Sequence, residues 1–115
     1  MNPIIIKEAL RMAIESRLSA NVRVEYSSQA NMYYAYLWRD DVVKGAVTEK
    51  KTNWEKLKKS FETYCMDLRK AMNAGLDSDA HLTFMVLNDR NPEETLLTIT
   101  DGVTHYDFMT EVFAK

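Results

Sequence analysis

Between Trp54 and Met72 the large apolar side chains fall at steps of three and four: Trp54, Leu57, Phe61, Tyr64, Leu68 and Met72. A helix carrying this stripe has one long face that must be buried, so the rest of the chain has to supply a surface to receive it. Both ends of this helix are specified. Thr52-Asn53-Trp54-Glu55 matches a capping box, in which the Thr hydroxyl and the Glu carboxylate satisfy each other's otherwise unpaired backbone N–H groups. Arg69 and Lys70 sit near the carboxyl end, where positive charge offsets the helix dipole, and Gly75 is placed to stop the helix in a left-handed conformation.

The receiving surface is a sheet. Val22, Val24 and Tyr26 alternate with Arg23, Glu25 and Ser27, the period of a strand with one buried face. After a turn over Ser27 to Asn31, Met32-Tyr33-Tyr34-Ala35-Tyr36-Leu37-Trp38 is apolar or aromatic throughout, as in a strand covered on both sides, although its period alone does not exclude a helix. Residues 39 to 51 read as a connection that can include a short strand at Val42 to Val47. Later strands are expected at His81 to Asn88, Thr95 to Thr100 and Val103 to Phe108. Asp89-Arg90-Asn91-Pro92 forms the first turn, and Asp101-Gly102 is a hairpin signal because both residues tolerate positive φ. A further helix over residues 3 to 19 starts from Asn2 as cap and Pro3 at the first position, and turns Ile6, Leu10, Ile14 and Leu18 to one side.

These elements predict an α+β fold in the order αββαβββ, with two helices packed on one face of an antiparallel sheet of about five strands. The length, 115 residues, suits a single domain over 1–115. Cys65 is the single cysteine and cannot form an internal disulfide, which favours a reducing compartment. Charged residues interrupt the apolar start long before a signal-peptide core could form, and no stretch approaches the roughly 20 apolar residues of a membrane span. The expectation is a cytoplasmic protein with no membrane partner. Residues 1 to 70 carry a net +4 and residues 71 to 115 a net −6, but the total of −2 gives little general attraction to nucleic acid.

Candidate chemistry is sparse. His105 and Asp107, two apart on a strand, share a face on which a carboxylate could orient an imidazole, yet no third group completes a site, and decoration of a solvated strand is expected. Asp77-Ser78-Asp79-Ala80-His81 offers oxygen and nitrogen ligands but lacks the remaining positions of a metal loop. Cys65 lies beside the helical stripe as a small buried hydrophobe. No catalytic residue, metal site or cofactor is therefore assigned, and no stretch matches a family motif.

Two features point to partners. The open sheet face would carry either Met32, Tyr34, Tyr36 and Trp38 or Tyr33, Ala35 and Leu37. If it carries the row of Tyr34, Tyr36 and Trp38, that row would bury itself against another protein, since Tyr and Trp dominate interfaces; otherwise the row is core. Lys50, Lys51, Lys56, Lys58 and Lys59 surround Trp54 and, with the aromatic strand, give an alternative as a nucleic-acid-binding domain. Glu49, Glu55 and Glu62 offset those lysines, and Trp54 is expected in the core. The leading expectation is thus a non-enzymatic protein-binding module, a small inhibitor or adaptor of the bacterial or phage kind.

Overall fold

The computed structural model describes residues 3–39, 51–76, 79–88, 91–108 and 110. The elements run α1 (Pro3–Leu18), β1 (Asn21–Ser27), β2 (Met32–Trp38), α2 (Lys51–Leu76), β3 (His81–Asn88), β4 (Asn91–Thr100) and β5 (Val103–Asp107). Among the described residues this is an α+β chain with two long helices and one five-stranded sheet in the spatial order β1-β2-β3-β4-β5. The postulated strand at Val42 to Val47 lies outside the described residues.

One expectation about the sheet needs correction, because the sheet is mixed. β1 and β2 pair antiparallel, as do β3 with β4 and β4 with β5, but β2 and β3 run parallel. The cause is the position of α2 between them in the chain. The helical connection carries the chain back across the sheet to the end at which β2 began, so β3 runs in the same direction as β2.

The second helix also differs at its margins. It begins at Lys51 and continues through Gly75 to Leu76, so Gly75 does not stop it; among the described residues the glycine with positive φ is Gly102. The side chains of the expected capping box at Thr52 and Asn53 lie outside the description. Asn91 and Pro92, read as turn residues, instead open β4, where the ladder with β3 shifts register at Val86/Leu87 and Leu87/Asn88.

Registration across the strands assembles the core. Val24, Ala35, Phe84, Ile99 and Thr104 are successive cross-strand partners, as are Val22, Leu37, Val86 and Leu97, so these residues share a face. All of them except Thr104 are buried, in one cluster with Ile6, Leu10 and Ile14 of α1 and Trp54, Phe61, Cys65 and Met72 of α2. The Tyr64 ring of α2 lies 6.0 Å from that of Phe84, and its hydroxyl donates to Ala13 O of α1 at 3.1 Å, which ties the two helices together.

The β4–β5 hairpin turns on Asp101 and Gly102, with φ of 55° and 91°, the pair of positive angles that a tight two-residue turn requires. A Cβ at Gly102 would stand 2.8 Å from Met66 Cβ and 3.1 Å from Glu62 O, so the turn packs directly on α2. Gly102→Ala should therefore destabilise the protein by at least about 1 kcal/mol, from the left-handed backbone alone and more from the contact. An unchanged denaturant midpoint would contradict this placement.

Candidate functional site

The alternation that buries Tyr33, Ala35 and Leu37 turns Tyr34, Tyr36 and Trp38 to the opposite face of β2, where they are half-buried. Their cross-strand partners give that face its composition. Tyr34 stands between Glu25 of β1 and Thr83 of β3, and Tyr36 between Arg23 and Met85; Thr100 and Thr98 of β4 continue the two rows. The Arg23 guanidinium lies 4.6 Å above the Tyr36 ring, a cation–π contact that covers part of the ring and orients a charge at the rim. Thr83 and Thr100 share a hydroxyl hydrogen bond of 2.9 Å, and the Thr83 hydroxyl also lies 3.0 Å from Met32 Sδ. Aromatic rings, methionines and the hydrogen-bonded Thr83–Thr100 pair thus make up the middle of this face, with Arg23 and Glu25 on its edge strand.

The described lysines of the run turn to different sides of α2. Lys58 turns toward β5, where Nζ lies 2.9 Å from Asp107 and 3.0 Å from Glu55. Partial burial works against its charge, but hydrogen bonds to Asp107 and Glu55 outweigh that cost and raise its pKa above the ordinary value. Lys56 and Lys59 line a different region, a cleft of about 440 Å3 with Arg17, Ser60, Thr63, Tyr64 and Asp67. Lys50 lies outside the described residues, as does the side chain of Lys51.

The expectation that His105 and Asp107 share one solvated strand face is corrected. Thr98 pairs with Tyr106 and Ile99 with Thr104, so His105 is the extra residue of a bulge, and it is exposed. Asp107 is held elsewhere: its Oδ1 accepts from Trp54 Nε1 at 3.1 Å and its Oδ2 from Lys58, with 8% of the side chain exposed. It anchors the start of α2 to β5 and is not a solvated decoration.

Sequence reading missed a second anchor at Asp101. Its Oδ1 accepts from Leu82 N at 3.0 Å and lies 3.0 Å from Arg69 Nε, while Oδ2 is 2.7 Å from His81 Nδ1. The Asp-Gly dipeptide signals a turn, but nothing local in it signals partners on β3 and α2. His81 is thereby drawn away from Asp79, whose carboxylate accepts from Asn31 Nδ2 at 3.3 Å. Asp77 and Ser78 of the same acidic segment lie outside the described residues. Among the described residues no group of three His, Cys, Asp or Glu side chains could hold a metal ion, and no helix is long and apolar enough to cross a membrane.

The chain matches no protein-family model, no curated protein and no solved structure.

Cys65 is fully buried, with Sγ 3.5 Å from Leu82 O. Burial pushes its thiol pKa up to about 11, because the thiolate would lose its hydration. Since the thiolate is the nucleophile, Cys65 should resist a disulfide reagent at about pH 8 in the folded protein and react at once in denaturant. Rapid labelling of the folded protein would contradict both its burial and its inertness.

Proposed function

We propose that this chain acts as a non-enzymatic protein-binding module, an inhibitor or adaptor folded as one domain over 1–115, and that Tyr34, Tyr36 and Trp38 form its contact surface. The observation that carries the reading is the alternating burial of β2, which leaves this row half-exposed while its neighbours Tyr33, Ala35 and Leu37 are buried. In this reading α1 and α2 both cover the face of Ala35 and Phe84, and a partner covers the other.

The chemistry of the row favours a protein as that partner. Large aromatics held by a sheet lose little conformational freedom on binding and bring much apolar area, which is why Tyr and Trp concentrate at interface hot spots. The Arg23–Tyr36 contact and Glu25 on the edge strand add a polar rim that would set orientation. Nucleic-acid binding would need several cations beside the stacking rings, and Arg23, over the Tyr36 ring, is one such cation. Lys56 and Lys59 instead line the cleft with Tyr64, a residue that packs on Phe84 of the core face. The single buried Cys65 fits a reducing compartment such as the cytoplasm.

Capture from host lysate, with and without nuclease, tests the reading. A protein retained after nuclease should bind Trp38→Ala about 30-fold more weakly or worse, the loss of an interface hot spot, and Tyr36→Ala should also weaken it. Both variants should keep a melting temperature near that of the parent. Retention of nucleic acid alone, or full affinity in folded Trp38→Ala, would overturn the proposal.

A further inference from the structure

α1 and α2 lie antiparallel with a groove between them, since early residues of α1 face late residues of α2. At one end Ile5, Ile6, Ala9 and Ala13 oppose Leu68 and Ala71 around a cavity of about 340 Å3 that also reaches Gly75. At the other end lies the cleft of about 440 Å3 bearing Arg17, Lys56 and Lys59 with the Ser60 and Thr63 hydroxyls. The Tyr64 hydroxyl bonds Ala13 O between the two cavities, Ala13 lining the first and Tyr64 the second, so an occupant of both would pass over that bond.

We propose that this groove binds a single-chain amphiphile with an anionic head, a long-chain fatty acid, with its tail along Ala9 and Ala71 and its carboxylate at Arg17 and Lys59. The head site has the right charge. Arg17, Lys56 and Lys59 have no carboxylate at ion-pair distance among the described residues, and Asp67 is the one acidic residue lining the cleft. Arg17 is positioned by its contact with the Tyr64 ring, at 5.9 Å. Ser60 and Thr63 can donate hydroxyl hydrogen bonds to a carboxylate.

The tail site has the right shape. Ala9, Ala13, Ala71 and Gly75 keep the slot clear, and a Cβ built at Gly75 meets nothing within 4 Å. Both volumes fall within the roughly 300–1,000 Å3 of small-molecule sites. This inference is independent of the sheet face, which carries neither charge complementarity for a carboxylate nor a slot for its chain.

Calorimetric titration of the full chain with sodium dodecanoate below its micelle concentration tests the proposal. Saturable binding of one equivalent is expected. Octanoate, four methylenes shorter, should bind roughly 250-fold more weakly, since each buried methylene contributes about a fourfold factor. Dodecyltrimethylammonium, with the same tail and the opposite head, should bind at least tenfold more weakly than dodecanoate. Ala9→Trp and Gly75→Leu should each obstruct the slot, and Arg17→Glu with Lys59→Glu should repel the head, whereas Trp38→Ala should leave dodecanoate binding unchanged. Absence of saturable binding, equal binding of the cationic amphiphile, or unchanged binding in both folded slot variants would overturn the proposal. If the slot variants instead lose the protein partner and dodecanoate does not bind, the groove belongs to that partner and the fatty-acid site is refuted.

Discussion

The two parts of the chain meet in the sheet along one seam, the parallel pairing of β2 with β3. β1 and β2 lie on one side of it and β3, β4 and β5 on the other. Parallel ladders are slightly weaker per residue than antiparallel ones, so the seam depends on what is packed against it. Tyr33, Ala35 and Leu37 meet Leu82, Phe84 and Val86 there, all six buried. The register is pinned at its entry by Asn31, which sits at φ 48°. Asn31 O accepts from His81 N at 2.8 Å, and its side chain joins the Tyr26 hydroxyl to Asp79. Asp101 completes the pinning from the hairpin by holding Leu82 N and His81 together. A slip of one residue would exchange the buried and half-buried sets of β2, so these polar ties decide which aromatic rings face solvent.

That choice sets the composition of the sheet face, the surface proposed to contact another protein, which presents aromatic rings with Arg23 and Glu25 on the edge strand. The helices, tied by Tyr64 to Ala13, leave a groove whose ends differ in chemistry. One end is floored by aliphatic side chains and the other is crowned by cations. The surfaces use different residues, so substitutions in one should not disturb the other.

Much of this was legible in the sequence because the signals were local. The stripe from Trp54 to Met72, the alternation at Val22 to Tyr26 and the positive-φ pair Asp101-Gly102 each determine their own element through spacing or backbone preference. The seam was less legible: its parallel sense depends on which strands are neighbours, and that is fixed by packing between residues some fifty positions apart, such as Ala35 and Phe84. The pairing of Asp107 with Trp54 and Lys58 was hidden for the same reason. A bulge at His105 then removed the simple two-residue periodicity on which the His105–Asp107 reading rested. The lysine run looked continuous because a helix interleaves residues that point to different sides. Lys58 faces β5, while Lys56 and Lys59 face the groove.

The register of β2 is the claim on which the aromatic face rests, and comparing two neighbouring truncations in denaturant unfolding tests it most directly. With Leu37 on the core face, Leu37→Ala should lower the unfolding free energy by about 2–5 kcal/mol, the range for a buried leucine. Tyr34→Ala, on the opposite face, should lower it by about 1 kcal/mol or less. The reverse order, with Tyr34→Ala the costly change and Leu37→Ala nearly neutral, would place the aromatic row in the core and contradict this account.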